Sequence, residues 1–124
     1  MPKPSTLLAT LVLAAWTLGA PASAETTIKP EDTASHAGQT VVVEGTVAKV
    51  STSQRSATTF LNFCAPYPNQ CFTAVIFQSA RSLFTDPLAW EGKKVRVSGR
   101  VKLYKGKPEI VLEKPSQIES APPP

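Results

Sequence analysis

The sequence predicts a mainly β fold: five strands closed into a small barrel, with one short helix before them and one helical turn among them. Three observations carry that prediction. Five runs rich in β-branched and aromatic residues are separated by polar or proline-bearing loops. Two of the longest runs hold an internal glycine, Gly45 and Gly99, where a strand can bend sharply enough to close a barrel. Only two short segments, around Pro30 and around Ala80, lack the two-residue alternation of a strand.

The first 24 residues stand apart from that pattern. "MPKPSTLLATLVLAAWTLGAPASA" has one lysine, an apolar run from Leu7 to Leu18, and the small-residue end Ala22-Ser23-Ala24. This is the pattern of a signal peptide, and it predicts a mature chain that begins at Glu25 in the periplasm or outside the cell. The run is shorter than the roughly 20 apolar residues of a membrane span. The alternative is an uncleaved amphiphilic anchor.

The remaining 100 residues are enough to bury one core. Residues 25–29 read as a loose lead-in, 30–119 as the domain, and 120–124, "SAPPP", as a disordered tail. The stretch keeps 12 basic residues against 9 acids, a formal charge of +3. Such a mild balance permits anionic partners without implying nucleic acid.

The elements follow in order. Pro30 suits a first helical turn, Glu31 and Asp32 suit its positive end, and Gly38 suits a left-handed stop, so a helix is expected over 30–37. "TVVVEGTVAKV" from Thr40 is the first strand, closed by a polar loop. "TTFLNFC" and "CFTAVIF" are the second and third, joined by "APYPNQ". A helical turn is expected around Ala80 to Phe84, ending before Pro87. "KKVRVSGRVKLY" and "KPEIVLE" complete the five.

The last two strands predict their own register. Val95, Val97, Gly99, Val101 and Leu103 alternate with polar residues, and Ile110 and Leu112 alternate with Glu109, Val111 and Glu113. A two-residue turn at Lys105-Gly106 sets Tyr104 against Lys107, Lys102 against Glu109 and Val101 against Ile110. A slip of one residue would bring Val101 against a glutamate, which fixes the pairing.

Cys64 and Cys71 both lie in the exported part, where an oxidising compartment favours a disulfide. Two free thiols are the alternative. A zinc set is not expected from two cysteines and one distant histidine, His36.

The OB-fold is the usual five-stranded barrel, and it is the expected architecture. The chain resembles small exported bacterial OB-fold proteins of the nucleic-acid-binding-like type. The residues that carry the likeness are "HAGQTVVVEGTV", "TTFLNF", "FTAVIF", "EGKKVRVSGRV", "YKGKPEIVL" and "PSQI", which cover most of Pro30 to Ile118. In similar sequences the "FLNF" run tends to be followed by glycine; here Cys64 follows.

Catalysis finds little support. A metal-dependent nuclease needs clustered acids, and the mature chain has only Asp32 and Asp86 as aspartates, with Glu44, Glu109 and Glu113 scattered. His36 suits the carbonyls at the end of its helix. No serine or threonine stands in a triad motif. No catalytic residue, cofactor or resident metal is expected.

Binding is the expected use. OB barrels present ligands on the outer face of strands two and three, between flanking loops. By that analogy the candidate contacts are Lys49 and Arg55 in the first loop region, Asn62 and Tyr67 near the middle, and Tyr104, Lys105 and Lys107 at the second loop. Basic and aromatic residues together suit a single-stranded nucleic acid. The alternative is a periplasmic module for another envelope protein, a peptide or an oligosaccharide; a secreted nuclease is the remote third reading. About half of Phe60, Phe63, Phe72 and Phe77 belong in the core, Trp90 is expected to plug a barrel end, and Arg96 and Arg100 belong to a solvated face.

Overall fold

The computed structural model describes residues 26–123, so the signal-peptide reading lies outside the described residues. The fold is mainly β. Its strands are β1 (Thr26–Ile28), β2 (Thr40–Thr52), β3 (Thr59–Phe63), β4 (Phe72–Ile76), β5 (Lys94–Arg100), β6 (Lys102–Tyr104), β7 (Lys107–Val111) and β8 (Ile118–Ser120). The eight strands pair in the order β6-β7-β4-β3-β2-β5-β8, with β1 beside β2. This departs from five strands in one closed ring, because the hydrogen-bonded path is open, with β6 and β8 at its ends.

The long strand β2 organises everything else. Its first half, Thr40–Thr46, pairs antiparallel with β5, and Val41–Val43 also pair parallel with β1. Its second half, Val47–Thr52, turns away to pair with β3, with a bulge between Val47 and Lys49. A bulge bends a strand and lets it serve two partners in turn. Gly45 stands just before the bend. Its missing side chain makes room for Pro30: a Cβ there would collide with the Pro30 ring.

β4 runs antiparallel to β3 and parallel to β7. All five of its residues are buried. "FTAVI" therefore reads as a continuous run, as expected of a strand covered on both faces. β6 and β7 form the predicted hairpin, with Tyr104 opposite Lys107, Leu103 opposite Pro108 and Lys102 opposite Glu109. Lys105 and Gly106 both have positive φ, 52° and 81°, as a type I′ turn requires. The Val101–Ile110 pair is absent from this ladder. Val101 instead donates its N–H to Gln39 (2.9 Å) and accepts one from Gly38 (2.7 Å), so the expected single strand is parted into β5 and β6. Leu103, expected inside, is half exposed.

The core fills the space between these strands. Phe63 and Phe72 are fully buried, with ring centroids 5.1 Å apart, near the pivot of β2. Val43, Val97, Leu61, Ile110 and Leu112 surround them. Removing either phenylalanine side chain would cost about 3–5 kcal/mol. Phe77 is 42% exposed and Phe60 is half-buried, so half of the four phenylalanines are core as expected, and Trp90 is only partly buried against that core.

The helical pieces are short. Pro30–His36 is a 3₁₀ helix with Gly38 in the left-handed region (φ 84°) just beyond it. Its buried Thr33 hydroxyl donates to the Pro30 carbonyl at 2.8 Å, which satisfies the group locally. The second helical turn is Gln78–Arg81, two residues earlier than expected. Pro87 opens a further 3₁₀ turn, Pro87–Trp90, rather than only ending the one before. The lead-in and the tail are also more structured than expected: β1 pairs with β2, and Ser120 pairs with Val95.

Candidate functional site

On the outer face one polar residue stands on each of five neighbouring strands, in register: Lys49, Asn62, Thr73, Glu109 and Lys102. Their neighbours Leu61, Ala74 and Ile110 point into the core, so period-2 alternation turns this row outward. Asn62 and Thr73 are nonetheless buried, and the Thr73 hydroxyl donates to Asn62 Oδ1 at 2.9 Å.

What covers them is a pair of walls. One wall is the loop between β3 and β4, which carries Tyr67, Pro68 and Gln70. The other is the β6–β7 hairpin, which carries Tyr104, Lys105, Lys107 and Pro108. Between them lies a cleft of about 520 Å³. Phe60 and the end of β2, from Ser51, close one side, and Asn62, Thr73 and Glu109 form the floor. Tyr67 is 77% exposed and Tyr104 58% exposed, so two aromatic residues stand at the mouth.

The loop is held from two directions. Cys64 and Cys71 are joined in a disulfide with Cα atoms 5.6 Å apart, which closes the loop at its base. Lys107 reaches across from the hairpin: its Nζ donates to the Pro68 carbonyl at 2.6 Å and lies 3.5 Å from that of Gln70. Among the described residues, the one group of side chains placed to share a metal ion is Glu31 with Cys64 and Cys71, and both sulfurs are tied up in the disulfide.

Charge in the cleft is mixed. Glu109 pairs with Lys102 at 3.7 Å. Burial pushes its carboxyl above the ordinary value of 4.5, and Lys102 only partly offsets that. Lys105 Nζ sits 5.4 Å from the Tyr104 ring centroid, within cation–π range. Gln70 Oε1 is buried with no hydrogen-bond partner.

Five of the seven candidate contacts thus meet in one place: Asn62, Tyr67, Tyr104, Lys105 and Lys107. Two do not line it. Lys49 shares the floor row, but its ammonium is drawn to Glu91 at 3.8 Å, while Glu91 also accepts the Val50 N–H at 2.8 Å. Arg55 lies in the turn between β2 and β3, outside the cleft lining. The residues that sequence reasoning missed are Phe60, Gln70, Thr73 and Glu109. For Thr73 and Glu109 the signal was there: each stands beside a core residue on its strand and so had to face outward. Away from the cleft, Glu44 pairs with Lys94 (3.5 Å) and Arg96 (3.6 Å) across the sheet, and His36 Nδ1 is 2.9 Å from Gln39 Oε1.

No family model matches the chain, and no curated protein matches it. Among solved structures the chain is similar to an OBody bound to hen egg-white lysozyme, with a TM-score of 0.52 and 17% identity, over 82% of this chain and 98% of that one. At that identity the likeness concerns the fold alone. Among the described residues no helix is long and apolar enough to cross a membrane.

Proposed function

We propose that this protein is an exported binding module of OB type, without a reaction of its own, and that the cleft between the β3–β4 loop and the β6–β7 hairpin is its ligand site. The barrel reading takes β2, β3, β4, β7 and the joined β5–β6 as the five strands. In its favour, β5 pairs with β2, β6 pairs with β7, and only Val101 parts β5 from β6. The likeness to the OBody supports the same reading. The outer face of an OB barrel's second and third strands, its usual binding face, is then the face of β3 and β4 where the cleft lies. Export is supported by the leader pattern and by a disulfide, which suits an oxidising compartment.

The observation that carries the reading is the pair of exposed tyrosines above a buried polar floor. Tyrosine offers a large, flat contact surface and gives up little rotamer freedom on binding. The cations are arranged otherwise than a phosphate track requires. Lys107 is engaged with two carbonyls, Lys49 with Glu91, and an acid stands in the floor. Rings and hydrogen bonds, rather than charge, are therefore the chief holding forces, which favours the interaction-module reading. Single-stranded nucleic acid is the second reading. Lys105 beside Tyr104 favours it, since a cation and a stacking ring together are the kit for such strands.

The test is an amide-shift titration of the oxidised mature protein with two kinds of probe: neutral hexasaccharides and a 12-residue oligothymidylate. Shifts centred on Asn62, Tyr67 and Tyr104 with either kind support the cleft as the site. Shifts confined elsewhere, or none with any probe, overturn it.

A further inference from the structure

We infer that the Cys64–Cys71 pair has a second state: once reduced, its two thiolates and the Glu31 carboxylate form a three-ligand site for Zn²⁺. The observation is the closeness of the three groups. A Glu31 carboxylate oxygen and the two sulfurs lie within 4.8 Å of one another. Around a tetrahedral zinc such donors stand roughly 3.5–3.8 Å apart, given bonds of about 2.3 Å to sulfur and about 2.0–2.2 Å to oxygen. Small side-chain rotations bring the set to that spacing.

The donors are held by more than the S–S bond. The two cysteines stand just past the last ladder pair of β3 and β4, Phe63 with Phe72. Those rings are fully buried, 5.1 Å apart between centroids, and the Cys71 N–H donates to the Phe63 carbonyl at 3.0 Å. Glu31 comes from another element, the 3₁₀ helix Pro30–His36, in which Pro30 and Thr33 are buried. Two separately anchored elements thus present the donors, as a metal site requires. Glu31 and Cys64 are exposed and Cys71 partly so, which leaves the group open to an ion and to a reductant. Glu31 joins none of the ion pairs among the described residues.

The bridge opens by exchange with a dithiol reductant. Its thiolate attacks one sulfur, the Cys64–Cys71 bond breaks, and a mixed disulfide forms; its second thiol then displaces the protein sulfur. Two electrons and two protons pass to the protein as two thiols, and the reductant leaves as a disulfide. Zn²⁺ displaces both thiol protons and keeps water in its fourth position. Bridge and ion exclude each other, because they use the same sulfurs. Either one closes the base of the β3–β4 loop, so this wall of the cleft is clipped in both redox states.

The experiment reduces the mature protein with a phosphine, which leaves no competing thiol, and titrates it with Co²⁺. A thiolate-to-cobalt charge-transfer band should appear at one ion per chain, and Zn²⁺ should bleach it, since zinc binds such sites more tightly. The oxidised protein and the Cys64→Ser/Cys71→Ser variant should show no band. Glu31→Gln should keep the band but bind cobalt at least about tenfold more weakly, since a direct ligand is worth no less than an outer partner. Asp32→Asn, the same change of charge one residue along, should leave the affinity as it is. Absence of the band in the reduced protein overturns the inference. Equal affinity in Glu31→Gln, two chains per ion by sedimentation, or a band formed only by a chain whose amide spectrum is unfolded overturns it as well.

Discussion

Lys107 Nζ lies 2.6 Å from the carbonyl oxygen of Pro68, 39 residues earlier in the chain, and so ties one wall of the cleft to the other. A lysine that resembles a phosphate contact in the sequence is a strut in the structure. The carbonyls it meets belong to a loop with few backbone partners of its own; among the described residues these include Asn69 N–H to Pro66 and Cys71 N–H to Phe63.

Replacing Lys107 with alanine should therefore loosen the loop without unfolding the domain. Amide exchange at Tyr67, Asn69 and Gln70 should quicken, and global stability should stay within about 0.5 kcal/mol of wild type, because the side chain is exposed. Lys107→Arg, which can still donate to both carbonyls, should restore slow exchange. Unchanged exchange in the alanine variant would remove the strut role.

The disulfide holds the same loop at its base, and its loss should be felt by the whole domain. Closing a loop of about 8 residues removes roughly 2.5 kcal/mol worth of freedom from the unfolded chain. The Cys64→Ser/Cys71→Ser double variant should lose about that much in urea denaturation. Thiol labelling of the native, non-reduced protein should find neither cysteine free. Labelling at both sites would reject the bridge.

These two ties show what was legible in the sequence and what was not. The hairpin's turn and its pairs Tyr104–Lys107 and Lys102–Glu109 could be read, since alternation and a two-residue turn leave one register in which the apolar faces coincide, but the Val101–Ile110 pair could not. The disulfide could be read from compartment and count. The strand β1, "TTI", and the strand β8, "IES", could not: three residues are too few to display a period, and both exist only because longer strands offer them an edge. The break at Val101 was hidden for the opposite reason. Val101 is fully buried and continues the alternation, while its backbone partner is the distant Gln39. Of the candidate contacts, the loop and hairpin residues were chosen by analogy with a known face, and they line one cleft. The Lys49–Glu91 pair could not be read, because Glu91 is remote in sequence and no local pattern announces such a pair.

The two strand glycines were read as bending points, and the structure adds a second reason for them. A Cβ at Gly99 would lie 2.5 Å from Ile110 Cγ2, and one at Gly45 would strike Pro30. Both neighbours are held in packed surroundings, so Gly45→Ala and Gly99→Ala should each destabilise the domain by about 1–3 kcal/mol. Gly106 has nothing within 4 Å of such a Cβ and only its φ of 81° to satisfy. Gly106→Asn, a residue that tolerates this conformation, should cost less than either. Thermal unfolding of the three variants gives the order; a Gly106 variant less stable than the Gly99 variant would contradict it.

Glu109 gives the pH dependence, and its sign is the reverse of the usual one for a carboxylate. Burial raises its folded-state pKa above the ordinary 4.5, and the Lys102 ammonium at 3.7 Å does not fully offset this. The native state therefore holds its proton at pH values where the unfolded chain has lost it. Stability must then fall as pH rises, starting near 4.5 and ending above the raised folded value. Below 4.5 the group is protonated in both states and contributes no slope. Glu109→Gln removes the titration while keeping the shape of the side chain. Denaturation of both proteins between about pH 4 and 8 should show the wild type losing stability relative to the glutamine variant as pH rises. A relative stability that instead grew with pH would mean that Lys102 outweighs burial. The floor of the cleft would then carry a firmly ionised acid.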